Sequence, residues 1–179
     1  MTYSGTNNVT VGDFTKKSHY DQVLNNTIAL NSGLNNAMLL YASKLTTATY
    51  NVTGSFADVA PGSGDTLVVT SPPVGTYLAI STMSIKVVDD EDPPVLGAHI
   101  QLYHSGGTVP QTIRGEFAPD ITGWPASNSE LWLPMSLACV FTTTTTGNIS
   151  IQAKQSTDTD SAIVQAGASL LLFNFFTSL

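Results

Sequence analysis

What this chain has least of is charge, and positive charge above all. Only 11% of its 179 residues are charged, and just six are Lys or Arg. An average globular domain carries about 25% charged residues. The six cations are scattered at Lys16, Lys17, Lys44, Lys86, Arg114 and Lys154, within a formal net charge of −7. A phosphate backbone or an anionic lipid surface needs a clustered positive field, so nucleic acid and membrane are excluded as expected partners. The chain also has a single cysteine, Cys139. No intrachain disulfide is possible, and the run Leu137-Ala138-Cys139-Val140-Phe141 reads as a buried thiol acting as a small hydrophobe. The first eight residues show neither a basic region nor an apolar one, so a soluble product made in the cytoplasm without a signal peptide is expected, whatever its final location. The longest apolar stretch, residues 166–176, is short for a bilayer span and is broken by Gly167, Ser169 and Asn174.

Catalytic signatures are missing too. No glycine-rich loop carries the Lys or helix start that a phosphate requires, and Gly62-Ser63-Gly64 and Gly106-Gly107 read as turns. His99 and His104 lie an odd number of residues apart on one strand, which turns them to opposite faces and prevents a shared metal there. The expectation is a protein that is not an enzyme and carries no cofactor. One candidate for weak Ca²⁺ binding is the loop Asp89-Asp90-Glu91-Asp92, with Asp89, Asp90 and Asp92 as ligands, since hard cations take several carboxylate oxygens. The same loop also reads as a solvated segment held open by self-repulsion and stiffened by Pro93-Pro94.

What is present is strand pattern. Up to Gly33 one short stretch has helical spacing: Asp13 or Thr15 offers a cap, Tyr20, Leu24 and Ile28 share a side, and Asn31-Ser32-Gly33 supplies a stop. A helix of about four turns is marginal alone and must pack on its own sandwich or on its copies. After it come about nine runs of period two, the longest being Gly75–Val87, in which Tyr77, Ala79, Ser81, Met83, Ile85 and Val87 alternate with the rest. Residues 98–104 and 109–114 form a hairpin over Ser105-Gly106-Gly107. Residues 162–176 read as one last strand, and Trp132, between Leu131 and Leu133, as core. Many strands with short turns predict an all-β, antiparallel jelly-roll sandwich preceded by one short helix, divided into residues 1–36 (arm and helix) and 37–179 (sandwich).

The stretch Leu170-Leu171-Leu172-Phe173-Asn174-Phe175-Phe176 is apolar on both faces. A strand of that kind at the surface of a sandwich meets another subunit on its outer side. Tyr20, Leu24, Ile28, Leu170, Leu172, Phe173, Phe175 and Phe176 are therefore the candidate oligomer interface. A second candidate surface is the long excursion of residues 115–129, where Trp124 offers a ring face to a sugar and Glu116, Asp120 and Glu130 are the acidic residues near Trp124 and Trp132 that could flank it. An interface aromatic is the alternative for Trp124.

The order of landmarks resembles a known family. Val74-Gly75-Thr76-Tyr77-Leu78-Ala79-Ile80, His99–Gly107, Thr146-Gly147-Asn148-Ile149-Ser150-Ile151-Gln152 and Ser161–Phe173 are similar to successive strands of C1q/TNF-like jelly rolls. Asn148 stands where that family has an acidic residue, and Ala168-Ser169 where it has an aromatic-small pair. Val11–Thr27 resembles the opening of bacteriophage virion proteins, in which a short helix precedes such a head. The resemblance implies a homotrimer on a virion surface, of capsid-decoration or tail-fibre-head type. Its N-terminal segment would dock to the major capsid or tail protein. The alternative it implies is a receptor-binding module for a host surface glycan or protein.

Overall fold

The computed structural model describes residues 24–27, 38–89, 96–117, 129–157 and 159–175. Residues 24–27 are helical, and the rest of the expected helix lies outside the described residues. The chain divides into two units, Leu40–Asn174 and Met1–Leu39 with Phe175–Leu179. Among the described residues eleven strands follow in order: β1 (Met38–Leu45), β2 (Tyr50–Val52), β3 (Ala57–Asp58), β4 (Val68–Val69), β5 (Gly75–Asp89), β6 (Leu96–His104), β7 (Thr108–Phe117), β8 (Ser129–Thr143), β9 (Ile149–Gln155), β10 (Ser161–Val164) and β11 (Ser169–Phe175).

They form two sheets, and the protein is an all-β antiparallel sandwich of the jelly-roll class. The first sheet is six-stranded in the order β1-β11-β5-β10-β2, with β8 also on β5. The second is five-stranded in the order β3-β9-β6-β7, with β4 also on β9. The 15-residue β5 organises the first sheet. Its whole length pairs with β8, from Gly75↔Thr143 to Asp89↔Ser129. Its other edge is shared: β10 covers Ile85–Val88, and the Ser81 hydroxyl donates to the Ser169 carbonyl at 2.7 Å at the start of β11.

The single last strand expected from the sequence is thus two strands following one edge of β5. The break falls at Gly167, with φ 92°, a left-handed conformation that glycine adopts without steric cost. There the chain swings towards the β1–β2 connection: the Gly167 amide donates to Thr46 O, and the Thr46 amide to Ala168 O, both at 2.8 Å. Strand β2 gave no clear sequence signal because it is only three residues long.

The core forms where the alternating faces meet. Tyr77, Ile85, Ile100, Leu102, Ile151 and Leu137 are fully enclosed, each burial stabilising by roughly 1.5–3 kcal/mol. Buried Ser81 is satisfied by its bond to Ser169, so it carries little desolvation penalty.

Two edges of the sandwich carry a proline. β7 ends its sheet and contains Pro110 beside a register slip between Leu102↔Gln111 and His104↔Thr108. Among the described residues β8 pairs only with β5, and it contains Pro134. Proline has no N–H to donate and belongs on edges and at bulges, where it discourages another strand from adding.

Candidate functional surface

The two outer faces of the sandwich differ chemically. On the first sheet, Leu78 faces Val140 and Ile80 faces Ala138 across β5 and β8. Leu171 and Phe173 of β11 share that face, since their neighbours Leu170 and Leu172 point into the core. Val140 is 59% exposed, while Leu78, Ile80, Leu171 and Phe173 are half-buried. The result is an apolar cluster spanning three strands.

At the far end of the same face the character changes. Trp132 is 53% exposed and pairs with Lys86. The Lys86 ammonium meets the Glu130 carboxylate at 2.5 Å. Trp132 is therefore not core, contrary to the expectation from its leucine neighbours. The signal that places it was in the strand: Leu131, Leu133, Met135 and Leu137 occupy one parity, and Glu130, Trp132, Pro134 and Ser136 the other.

The outer face of the second sheet is polar. Asp58 accepts from the Ser150 hydroxyl at 2.7 Å and from Gln152 Nε2 at 3.0 Å. Gln152 Oε1 in turn accepts from Gln101 Nε2 at 2.7 Å. One cross-strand row above this ladder, His99 lies between Arg114 of β7 and Lys154 of β9. Burial, then the charges of Lys154 and Arg114, push the His99 pKa below its ordinary 6.5, against an opposing pull from Glu116. Lys154 Nζ lies 5.1 Å from the centre of the Phe56 ring, which is T-shaped to the His99 ring with centroids 6.5 Å apart.

The expected interface residues are distributed unevenly. Leu170 and Leu172 are 0% exposed within the single chain, so they are core residues and not contacts to a copy. Both-sided apolarity made the strand look like an interface on either face, but its inner face is filled by its own sandwich. Phe173 does lie on the outer face, and Phe175, half-buried, ends the described part of β11. Leu24 is 46% exposed on the helical turn, whereas Tyr20, Ile28 and Phe176 lie outside the described residues.

For the excursion, Glu116 is ion-paired with Arg114 on β7, and Trp124 and Asp120 lie outside the described residues. Asp89 is not on an exposed loop: it is the fully buried last residue of β5, opposite Ser129. Asp90 and Asp92 lie outside the described residues. Among the described residues no three His, Cys, Asp or Glu side chains converge on a point that would hold a metal. Cys139 is half-buried and packs against the core from β8. No described helix is long and apolar enough to cross a membrane.

No protein-family model matches this chain, and no curated protein does. Among the solved structures to which the chain shows similarity are three from infectious bursal disease virus. The Gx strain structure is 12% identical, with TM-score 0.33, over 78% of this chain and 35% of that one. The Gt strain structure is 19% identical, with TM-score 0.32, over 73% and 34%. The VP2 subviral particle is 19% identical, with TM-score 0.31, over 76% and 34%. The present chain spans about a third of the length of each of these.

Proposed function

We propose that this protein is a structural, non-enzymatic component of a bacteriophage particle: a homotrimeric, C1q-like decoration or fibre-head protein displayed on the virion surface. Residues 1–36 dock it to the major capsid or tail protein. The sandwich walls tie identical copies together. The observation that carries the reading is the apolar cluster on the outer face of the first sheet, with Val140 59% exposed on its β8 side. Left in water, such a cluster favours association, and the sparse charge of the chain offers little repulsion against it. Pro110 and Pro134 favour a face-to-face contact over edge pairing. The order of strand landmarks and the N-terminal segment add the particular resemblance to phage virion proteins.

The test is solution mass with and without Val140→Asp. A trimer is expected for the natural chain, and a shift towards monomer for the variant at unchanged fold, because a carboxylate in a desolvated contact has no partner. A natural chain that stays monomeric at micromolar concentration, or its absence from purified particles, overturns the proposal.

A further inference from the structure

The exposed Trp132 calls for a separate account, because its surroundings are unlike those of Val140. The two residues are on one face of β8 but roughly 26 Å apart at about 3.3 Å per residue. Around Val140 lie Leu78, Ala138 and Ile80, with the Thr76–Thr142 pair on one flank. Around Trp132 the Lys86–Glu130 ion pair and Ser84 stand beside Pro134 and Ile163.

The pairing register defines this end. One cross-strand row runs Trp132–Lys86–Ile163–Asn51 over β8, β5, β10 and β2. The flanking positions hold Glu130 on one side, and on the other Ser84, whose carbonyl receives the Gln165 amide. Burial alternates along each strand, with Ile85, Val87, Ala162, Val164 and Val52 inward, so the row faces outward. Four strands at about 4.8 Å spacing make a platform roughly 14 Å across. An indole stands at one end with an ion pair beside it, Ile163 follows, and the Asn51 amide ends the row, with the Ser84 hydroxyl on its flank.

We propose that this platform is a binding site for a neutral hexopyranose glycan. A pyranose ring has an apolar C–H face and a rim of hydroxyls. The Trp132 indole supplies a broad apolar surface to stack against the first. Glu130 accepts from hydroxyls and Lys86 donates to them, as charge-assisted bonds that sugars use well. The charge balance selects a neutral ligand. Lys86 and Glu130 cancel at 2.5 Å, so the site offers a carboxylated or sulfated sugar no surplus cation within a chain of net charge −7. The same balance disfavours a single-stranded nucleic acid, which would use the indole but needs a positive groove. A second copy of this chain would have to desolvate the ion pair or leave it half-matched, whereas sugar hydroxyls keep it hydrogen-bonded. The site is independent of the assembly reading: it involves neither the apolar cluster nor the N-terminal segment.

The experiment applies the full chain to a panel of immobilised neutral hexopyranose oligosaccharides, with sialylated and sulfated counterparts alongside. The best neutral oligosaccharide is then titrated by calorimetry. Retention of neutral members is expected. Trp132→Ala should weaken affinity by about tenfold, Trp132→Phe by less, and Glu130→Gln by a few-fold. Sedimentation should give the same mass for every variant. Four results overturn the proposal: no neutral member retained, preference for the charged counterparts, undiminished binding by Trp132→Ala, or a change of mass in Trp132→Ala. The last would mean that a copy of the chain occupies the platform. A monomeric natural chain that still binds the sugar would sink the assembly reading and leave this one standing.

Discussion

Replacing Leu172 by Ala separates packing within the chain from contact between chains. Leu172 is fully buried on the inner face of β11, between β1 and β5. Truncation removes the transfer free energy of its lost methyl and methine groups and leaves a cavity that a strand held on both sides closes poorly. Leu→Ala changes of this type cost about 2–5 kcal/mol, and about 3 is expected here. For a chain of this size each kcal/mol lowers Tm by about 2–4 °C, so the fall should be about 6–12 °C. The assay is urea unfolding of natural and variant chains over roughly a hundredfold range of protein concentration. Because the side chain packs inside its own protomer, the difference between the two chains should not depend on concentration. An interface residue behaves otherwise: its loss acts through mass action, and the difference then varies with concentration. A loss below about 1 kcal/mol, or a difference that disappears at high concentration, would refute the placement of Leu172 in the core.

Two further outcomes follow from local geometry. A Cβ on Gly147 would lie 2.7 Å from Ser105 Oγ, 2.9 Å from His104 Nε2 and 3.1 Å from the Gly106 amide nitrogen. Gly147→Ala should therefore cost about 1–3 kcal/mol in thermal melts, while Gly54→Ala, with nothing within 4 Å, should be close to neutral. His99 has a folded-state pKa below its ordinary 6.5, so the folded state binds fewer protons than the unfolded state just below that pH. Stability is then at its plateau above pH 6.5 and declines as pH falls from there towards the depressed value. Melting temperatures taken across that window should slope upward with pH, and His99→Gln should flatten part of the slope. An unchanged slope would mean that other groups carry it.

The sandwich was legible because half-buried strands write their inside and outside into alternate residues. β5 illustrates this: Tyr77, Ala79, Ser81, Met83, Ile85 and Val87, the alternate set visible in the sequence, are its buried side. The β6–β7 hairpin was legible from Ser105-Gly106-Gly107, where Gly107 takes φ 96°. The break between β10 and β11 was not, since apolar residues continue on both sides of Gly167 and only the contact with Thr46 shows where the chain departs from β5. Trp132 was misplaced by its neighbours although the parity of β8 marked it as outward. The polar ladder Asp58–Gln152–Gln101 had no sequence signature at all, because its members come from three separate strands.

Composition and periodicity by themselves determined that this chain is an all-β sandwich with one thiol, few charges and cations scattered along the sequence, since each of these is a property of residues counted or read in order. Which wall of the sandwich is apolar, that Leu170 and Leu172 fill the core while Phe173 faces out, and that Trp132 stands beside Lys86 and Glu130 were decided only by strand pairing. The reason is physical: a strand of period two specifies that it has two faces, but which face meets the opposite sheet, and which distant residues stand beside it, depend on register, and register is a property of the assembled sheet.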